Sequence, residues 1–174
     1  MTDGGDGPNR RIRVDVAQTG FFAGREFRTF KKFSAVASGT TIVIKVVVPI
    51  NIILFNLAMN NTSGAASITT VVSGTEGGSF SETYPIFSRN NMSERPFPYY
   101  TPKVVVTAGG THSGGVILDE LVVSTSGQGN QAANVGTSNG DERGVGVNTY
   151  YIRLVTSGSD AFTGVFSAWW EERP

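Results

Sequence analysis

His112 is the only histidine in the chain, and there is no cysteine. A thiolate nucleophile, a thiolate metal site and a disulfide framework are thereby excluded, and a cupin-type metal centre cannot be built from one imidazole. The pentapeptide Gly136-Thr137-Ser138-Asn139-Gly140 matches the Gly-x-Ser-x-Gly pattern of a nucleophile elbow. It lies in a polar stretch, without the preceding apolar strand and following helix that hold such a serine in a sharp turn, and the lone histidine comes before it. His112 therefore reads as an ordinary residue of the loop Ala108 to Gly115.

Paired carboxylates perform glycoside hydrolysis, and Glu76, Glu82, Asp119, Glu120, Asp141 and Glu142 are of the right type. Asp119 and Glu120 are adjacent, so on a strand they point to opposite faces unless a bulge redirects one. Solvated or interfacial charge is the simpler reading. The oxygen-rich segments Asp3 to Gly7 and Asn139 to Glu142 lack EF-hand spacing, and Gly109, Gly110, Gly114 and Gly115 lack the lysine and strand-to-helix setting of a phosphate loop. No catalytic residue, cofactor site or metal site is expected. Phe97, Tyr99 and Tyr100 lie in a loop, while Tyr150, Tyr151, Trp169 and Trp170 form adjacent pairs on strands, so one ring of each pair is expected at the surface. Such rings suit a protein interface more readily than a sugar platform.

The elements that would carry these residues are short runs alternating with period two, bounded by Gly, Pro, Asn and Ser. Ile12, Val14 and Val16 oppose Arg11, Arg13 and Asp15. Glu26 to Val36 is read as a strand, although Phe27, Phe30 and Phe33 recur at a spacing a short helix would also use. A hairpin-like turn at Ser38 and Gly39 leads to Thr40 to Val48. Ile50 to Asn60 is apolar on both faces and reads as a central strand, followed by Ser67 to Ser73. Gly74 to Pro102 is long and irregular, with a candidate strand at Ser79 to Phe87. Lys103 to Thr107 and Val116 to Thr125 follow, the latter with a change of apolar parity at Asp119 and Glu120 that marks a β-bulge. Gly127 to Asn148 is a second polar loop with a tight turn at Asn139 and Gly140. Two closing strands, around Tyr150 to Val155 and Phe162 to Trp170, are joined at Ser157 to Asp160 by an expected hairpin.

About nine or ten short strands without a helix predict an all-β antiparallel β-sandwich, and the long crossovers favour a jelly-roll. The expected organisation is a flexible N-terminal arm over 1–10 and a single β-sandwich domain over 11–174. With 14 basic and 14 acidic residues the net charge is zero, which lacks the basic face of a nucleic-acid binder. The apolar run Thr41 to Met59 is broken by Lys45, Pro49, Asn51 and Asn56 and is rich in β-branched residues, so it reads as strands rather than a membrane span. Neither nucleic acid nor membrane is an expected partner.

Three segments carry a resemblance: Arg25 to Phe33 leading to Pro49; Asn91-Met92-Ser93-Glu94-Arg95-Pro96 with Pro98-Tyr99-Tyr100; and Tyr150 to Leu154 with Gly164 to Arg173. Together they resemble small virion structural proteins of tailed bacteriophages, a group that includes capsid decoration or cement proteins. The resemblance implies a homotrimer on the phage head surface that binds the major capsid protein and reinforces the shell, and it brings no catalytic residue. The expected contact residues are Arg10, Arg11 and Arg13 of the arm region with Arg89, Asn91, Glu94, Arg95, Phe97, Tyr99 and Tyr100, and the loop Gly127 to Asn148 is a further contact surface. The alternative is a tail or fibre module that binds host-surface glycans through its aromatic residues.

Overall fold

In the computed structural model the described residues are 20–91, 99–124, 131–135 and 143–174. The expected strand Ile12 to Val16, the arm, and the turn at Asn139 and Gly140 lie outside them. A short helical turn at 20–22 leads into fourteen strands among the described residues. These are β1 (Glu26–Val36), β2 (Thr41–Val48), β3 (Ile52–Ser63), β4 (Ala65–Val72), β5 (Thr75–Gly77), β6 (Glu82–Thr83), β7 (Ile86–Ser88), β8 (Val105–Ala108), β9 (Thr111–Ser113), β10 (Val116–Ser124), β11 (Gln131–Val135), β12 (Arg143–Val145), β13 (Asn148–Ser157) and β14 (Phe162–Glu172).

All pairing is antiparallel. One sheet runs β11-β3-β14-β1-β7 with β12 also on β3, the second runs β10-β4-β13-β2-β8-β6, and β5 with β9 forms a small third sheet. The two large sheets enclose one core, with Phe27, Ile44, Met59, Leu154, Phe162 and Phe166 among its most buried side chains. The antiparallel β-sandwich expected from alternation is the architecture found, because each long strand has one apolar face that only an opposing sheet can cover.

Connectivity differs from local expectation. Successive long strands β1 to β4 alternate between the two sheets, and so do β13 and β14. The turn at Ser38 and Gly39 and the segment Ser157 to Asp160 are therefore corners between sheets and not hairpins. Turn residues mark a reversal of direction in either case, so local sequence does not separate the two. Glu26 to Val36 is a strand, its helix-like spacing reflecting Phe27 and Phe33 turned inward with Phe30 outward. Ser79 to Phe87 breaks into β6 and β7 in different sheets, with buried Tyr84 and then Pro85 between them. Within Gly127 to Asn148 the chain pairs twice with β3. β11 runs along Leu57 to Asn61 and β12 along Ile52 to Leu54, as two parts of one edge.

Two of the four register shifts among the described strands tune the faces. In β10 the register shifts between Ile117 and Asp119, where the parity change was expected. In β3 the partners of Trp169 and Trp170 are Asn56 and Leu54, leaving Phe55 as the extra residue. This second bulge was not foreseen. It lets Ile52 and Leu54 face the core on one side of Phe55, and Leu57 and Met59 on the other, which simple alternation forbids.

Candidate functional site

Parts of the three stretches expected to make contacts share one rung of the first sheet. Gly144 pairs with Ile53, Ile53 with Glu171, Glu171 with Glu26, and the Arg89 amide donates to the Glu26 carbonyl at 2.9 Å. The row therefore joins the root of the 89–100 segment, the start of β1 that follows the N-terminal region, and β12 of the 127–148 segment. No sequence spacing links these stretches; the sheet register brings them together.

Three buried acids anchor this end. Phe27 and Trp170 enter the core, so strand alternation turns their neighbours Glu26 and Glu171 to the opposite face of the sheet. There Glu26 pairs with Arg89 at 2.9 Å and accepts a hydrogen bond from Trp169 Nε1 at 3.3 Å. The Arg89 guanidinium also lies 3.3 Å from the Trp169 ring centroid, a cation–π contact made stronger by partial burial. Glu171 is fully buried beside Arg173 at 2.8 Å and Arg25 at 3.7 Å. Burial pushes its carboxyl above the usual value, with the two arginines opposing that shift. Gly20 packs so closely over it that a Cβ there would lie 2.1 Å from Glu171 Cδ. Glu172 points the other way and accepts from the amides of Lys103 and Val104 at 2.9 and 3.0 Å.

These contacts fix both ends of the segment that spans 92–98. Arg89 and Asn90 hold the near end, Asn90 Nδ2 donating to the Phe21 carbonyl at 3.0 Å. Glu172 holds the far end at Lys103 and Val104. Of the expected contact residues, Asn91 and Tyr99 are exposed, and Arg89 is half-buried and committed to Glu26 and Trp169. Tyr100 turns inward against Phe27, and burial together with the nearby Glu172 charge pushes its hydroxyl up to about 12. Arg10, Arg11, Arg13, Glu94, Arg95 and Phe97 lie outside the described residues. The expected one-in, one-out arrangement of each aromatic pair is found, with Trp169 half-buried on the outer face, and it is corrected only for the tyrosine pair, whose outward ring is buried by a neighbour. Tyr150 and Trp170 face inward, Tyr151 is covered by His112, and Trp169 is covered by Arg89 and Phe55.

Of the residues of catalytic type, Glu120 is exposed and most of the other described ones are tied into pairs. The β5 and β9 ribbon brings His112 to the Tyr151 ring, stacked at 3.8 Å, with Nε2 of His112 2.7 Å from the Ser73 carbonyl oxygen. His112 thus lies in a strand and not in a loop. Lys45 pairs with Glu76 at 2.7 Å, and Tyr151 donates to the same carboxylate. The hydrogen bonds from Lys45 and Tyr151 hold Glu76 below the usual carboxylate range, whereas burial and then Glu76 push Tyr151 up to about 12. Glu82 is paired with Lys31 and Asp119 with Arg143. Ser138, Asp141 and Glu142 lie outside the described residues. Among the described residues no group of three or more His, Cys, Asp or Glu is placed to hold a metal, and no helix is long and apolar enough to cross a membrane.

No family model, curated protein or solved structure matches the chain.

The anchoring acids were missed in the sequence reading. Their one signal is positional: Glu172 falls in phase with the inward Phe166 and Trp170 of β14, with Glu171 beside it on the opposite face. Sequence does not tell whether such acids are buried, since that depends on Arg25, Arg89 and Arg173 arriving from three other places.

Proposed function

We propose that this chain is a non-enzymatic virion structural protein that binds the major capsid protein lattice and stabilises a phage head, acting as a homotrimer on the head surface. The observation that carries the reading is the strand order. Eight of the strands lie as β1-β14-β3-β11 facing β2-β13-β4-β10, and each succession among them except β4 to β10 crosses between sheets. We read this as a jelly-roll, an arrangement used by viral capsid and lectin domains and by cupins. The cupin branch needs several imidazoles, and His112 is the only one. The roots of the N-terminal region and of the 89–100 segment meet at one end of the sandwich beside β12, which supports a contact face there, with Asn91 and Tyr99 as its exposed described residues. Three copies engaging a repeating lattice would hold through avidity even where each contact is modest.

Co-sedimentation with capsids assembled without this protein tests the proposal. Saturable pelleting is expected, with the protein sedimenting alone as a trimer; pelleting that does not saturate overturns the reading. One observation favours the glycan-binding alternative. Phe30 and Phe87 form an exposed stacked pair, 5.4 Å between centroids and 14° between planes, on the outer face of the first sheet. A glycan-array signal lost on Phe30→Ala would move the assignment to a tail or fibre module.

A further inference from the structure

Among the described residues the sandwich leaves an open-mouthed gap at one side. A cavity of about 130 Å³ lies between the two sheets, walled by Val46, Leu54, Leu57, Thr70, Ile152 and Trp170. Protein interiors pack as densely as organic crystals, with few voids larger than a water molecule. An apolar cavity of roughly 150 Å³ stays dry and takes up benzene or xenon. The space here is of that order and that chemistry.

Three further features mark it as a built site. Two register shifts border it. The β3 bulge at Phe55 brings Leu54 and Leu57 to the same wall, and the β10 bulge brings the neighbours Leu118 and Asp119 to the same opening. Bulges are enriched beside functional sites because they re-aim side chains that strict alternation would separate. Second, the opening lies where the sheet edges β10 and β12 approach, and it is spanned by the ion pair of Asp119 with Arg143, both partly exposed. The Tyr150 ring lines the cavity beside it, its hydroxyl donating to the Gly146 carbonyl at 3.0 Å. Third, Thr70 lies in the wall with a buried hydroxyl that has no hydrogen-bond partner among the described residues. Buried hydroxyls are ordinarily satisfied, so an orphan on a cavity wall points to a guest with one polar atom.

We propose that this cavity is a binding site for a small, largely apolar molecule, a monocyclic aromatic or short aliphatic body with a single hydroxyl or carbonyl that pairs with Thr70. The guest enters past the Asp119 and Arg143 pair, which spans a half-open mouth at the sheet edge. The site borders the proposed contact face at β12, where Arg143, Gly144 and Val145 line it, but its test does not depend on capsid binding.

The probes are toluene and phenol, equal in heavy atoms and differing in the hydroxyl. Methyl-resolved NMR of the full chain should show saturable shifts at Val46, Leu118 and Ile152 with both. Ala168→Leu extends a wall residue into the space and is expected to weaken toluene binding at least about tenfold; if that variant does not fold, Val46→Leu serves in its place. Thr70→Val should weaken phenol about fivefold and leave toluene unchanged. Shifts that grow linearly to the solubility limit, or toluene affinity unchanged in the filled variant, overturn the site. Equal loss of both probes in Thr70→Val overturns the assigned polar contact.

Discussion

Glu171 and Glu76 are both ion-paired carboxylates, and their surroundings give them opposite pH behaviour. Glu171 is fully buried, and desolvation raises its folded-state pKa despite Arg173 and Arg25. The folded state therefore holds the proton more tightly, so the stability contributed is full below the ordinary value of 4.5 and lost as pH rises through the folded value. Glu76 is depressed by its bonds from Lys45 and Tyr151, so its contribution is present above 4.5 and lost as pH falls through the folded value. Urea unfolding across this range should reveal the difference. Relative to Glu171→Gln, the parent should gain stability as pH falls from neutrality toward 4.5. Relative to Glu76→Gln, it should lose its advantage below 4.5. Parallel pH curves for the parent and both variants would contradict the assigned environments.

At the scale of elements, the corners between sheets do the work that hairpins were expected to do, and they differ in tolerance. Gly64 joins β3 to β4 with φ 72°, and a Cβ there would lie 2.7 Å from Phe162 Cα and 2.9 Å from the Asp160 carbonyl oxygen. Gly39 joins β1 to β2 with φ 79° but faces open space. Alanine at either position meets left-handed backbone strain of about 1 kcal/mol, and only at Gly64 does it also collide with backbone that cannot yield. Gly39→Ala should cost about 1 kcal/mol in chemical denaturation and Gly64→Ala at least about 3 kcal/mol. Equal costs would mean that the β13 to β14 corner does not pack on Gly64 as described. The Phe55 bulge belongs to this scale too, since a single extra residue decides which half of β3 feeds the core.

For the whole molecule, the last two strands occupy the middle of both sheets. β14 lies between β1 and β3, and β13 between β2 and β4. Neither sheet can close until the C-terminal region is present, and the dominant pairings span most of the chain. Such non-local topologies fold slowly, in milliseconds to seconds. Removing residues 161–174 separates β1 from β3 and exposes the core around Phe27 and Met59. That truncation is expected to abolish the cooperative thermal transition seen by circular dichroism. A retained sharp transition would mean that the two sheets do not depend on a shared central strand. The same arrangement makes the sandwich a rigid support for segments at its end, because both roots of the 92–98 stretch rest on strands that are central or adjacent to β14.

What the sequence determined by itself was whatever short-range periodicity carries. The β class followed from Ile42, Ile44, Val46 and Val48 and their counterparts elsewhere, since period two is a property of one strand. The β10 bulge was legible because it breaks that period within four residues, and the chemistry screen was legible because one histidine and no cysteine are matters of count. Partner choice was not legible: turn residues at Ser38 and Gly39 serve a hairpin and a sheet-to-sheet corner equally well. Nor were the pairing of β11 and β12 with β3, the burial of Glu26, Glu171 and Glu172, and the cavity beside Thr70. Each depends on groups distant in sequence meeting at one place, and tertiary structure decided it, because burial and pairing energies belong to the packed arrangement and not to any one segment.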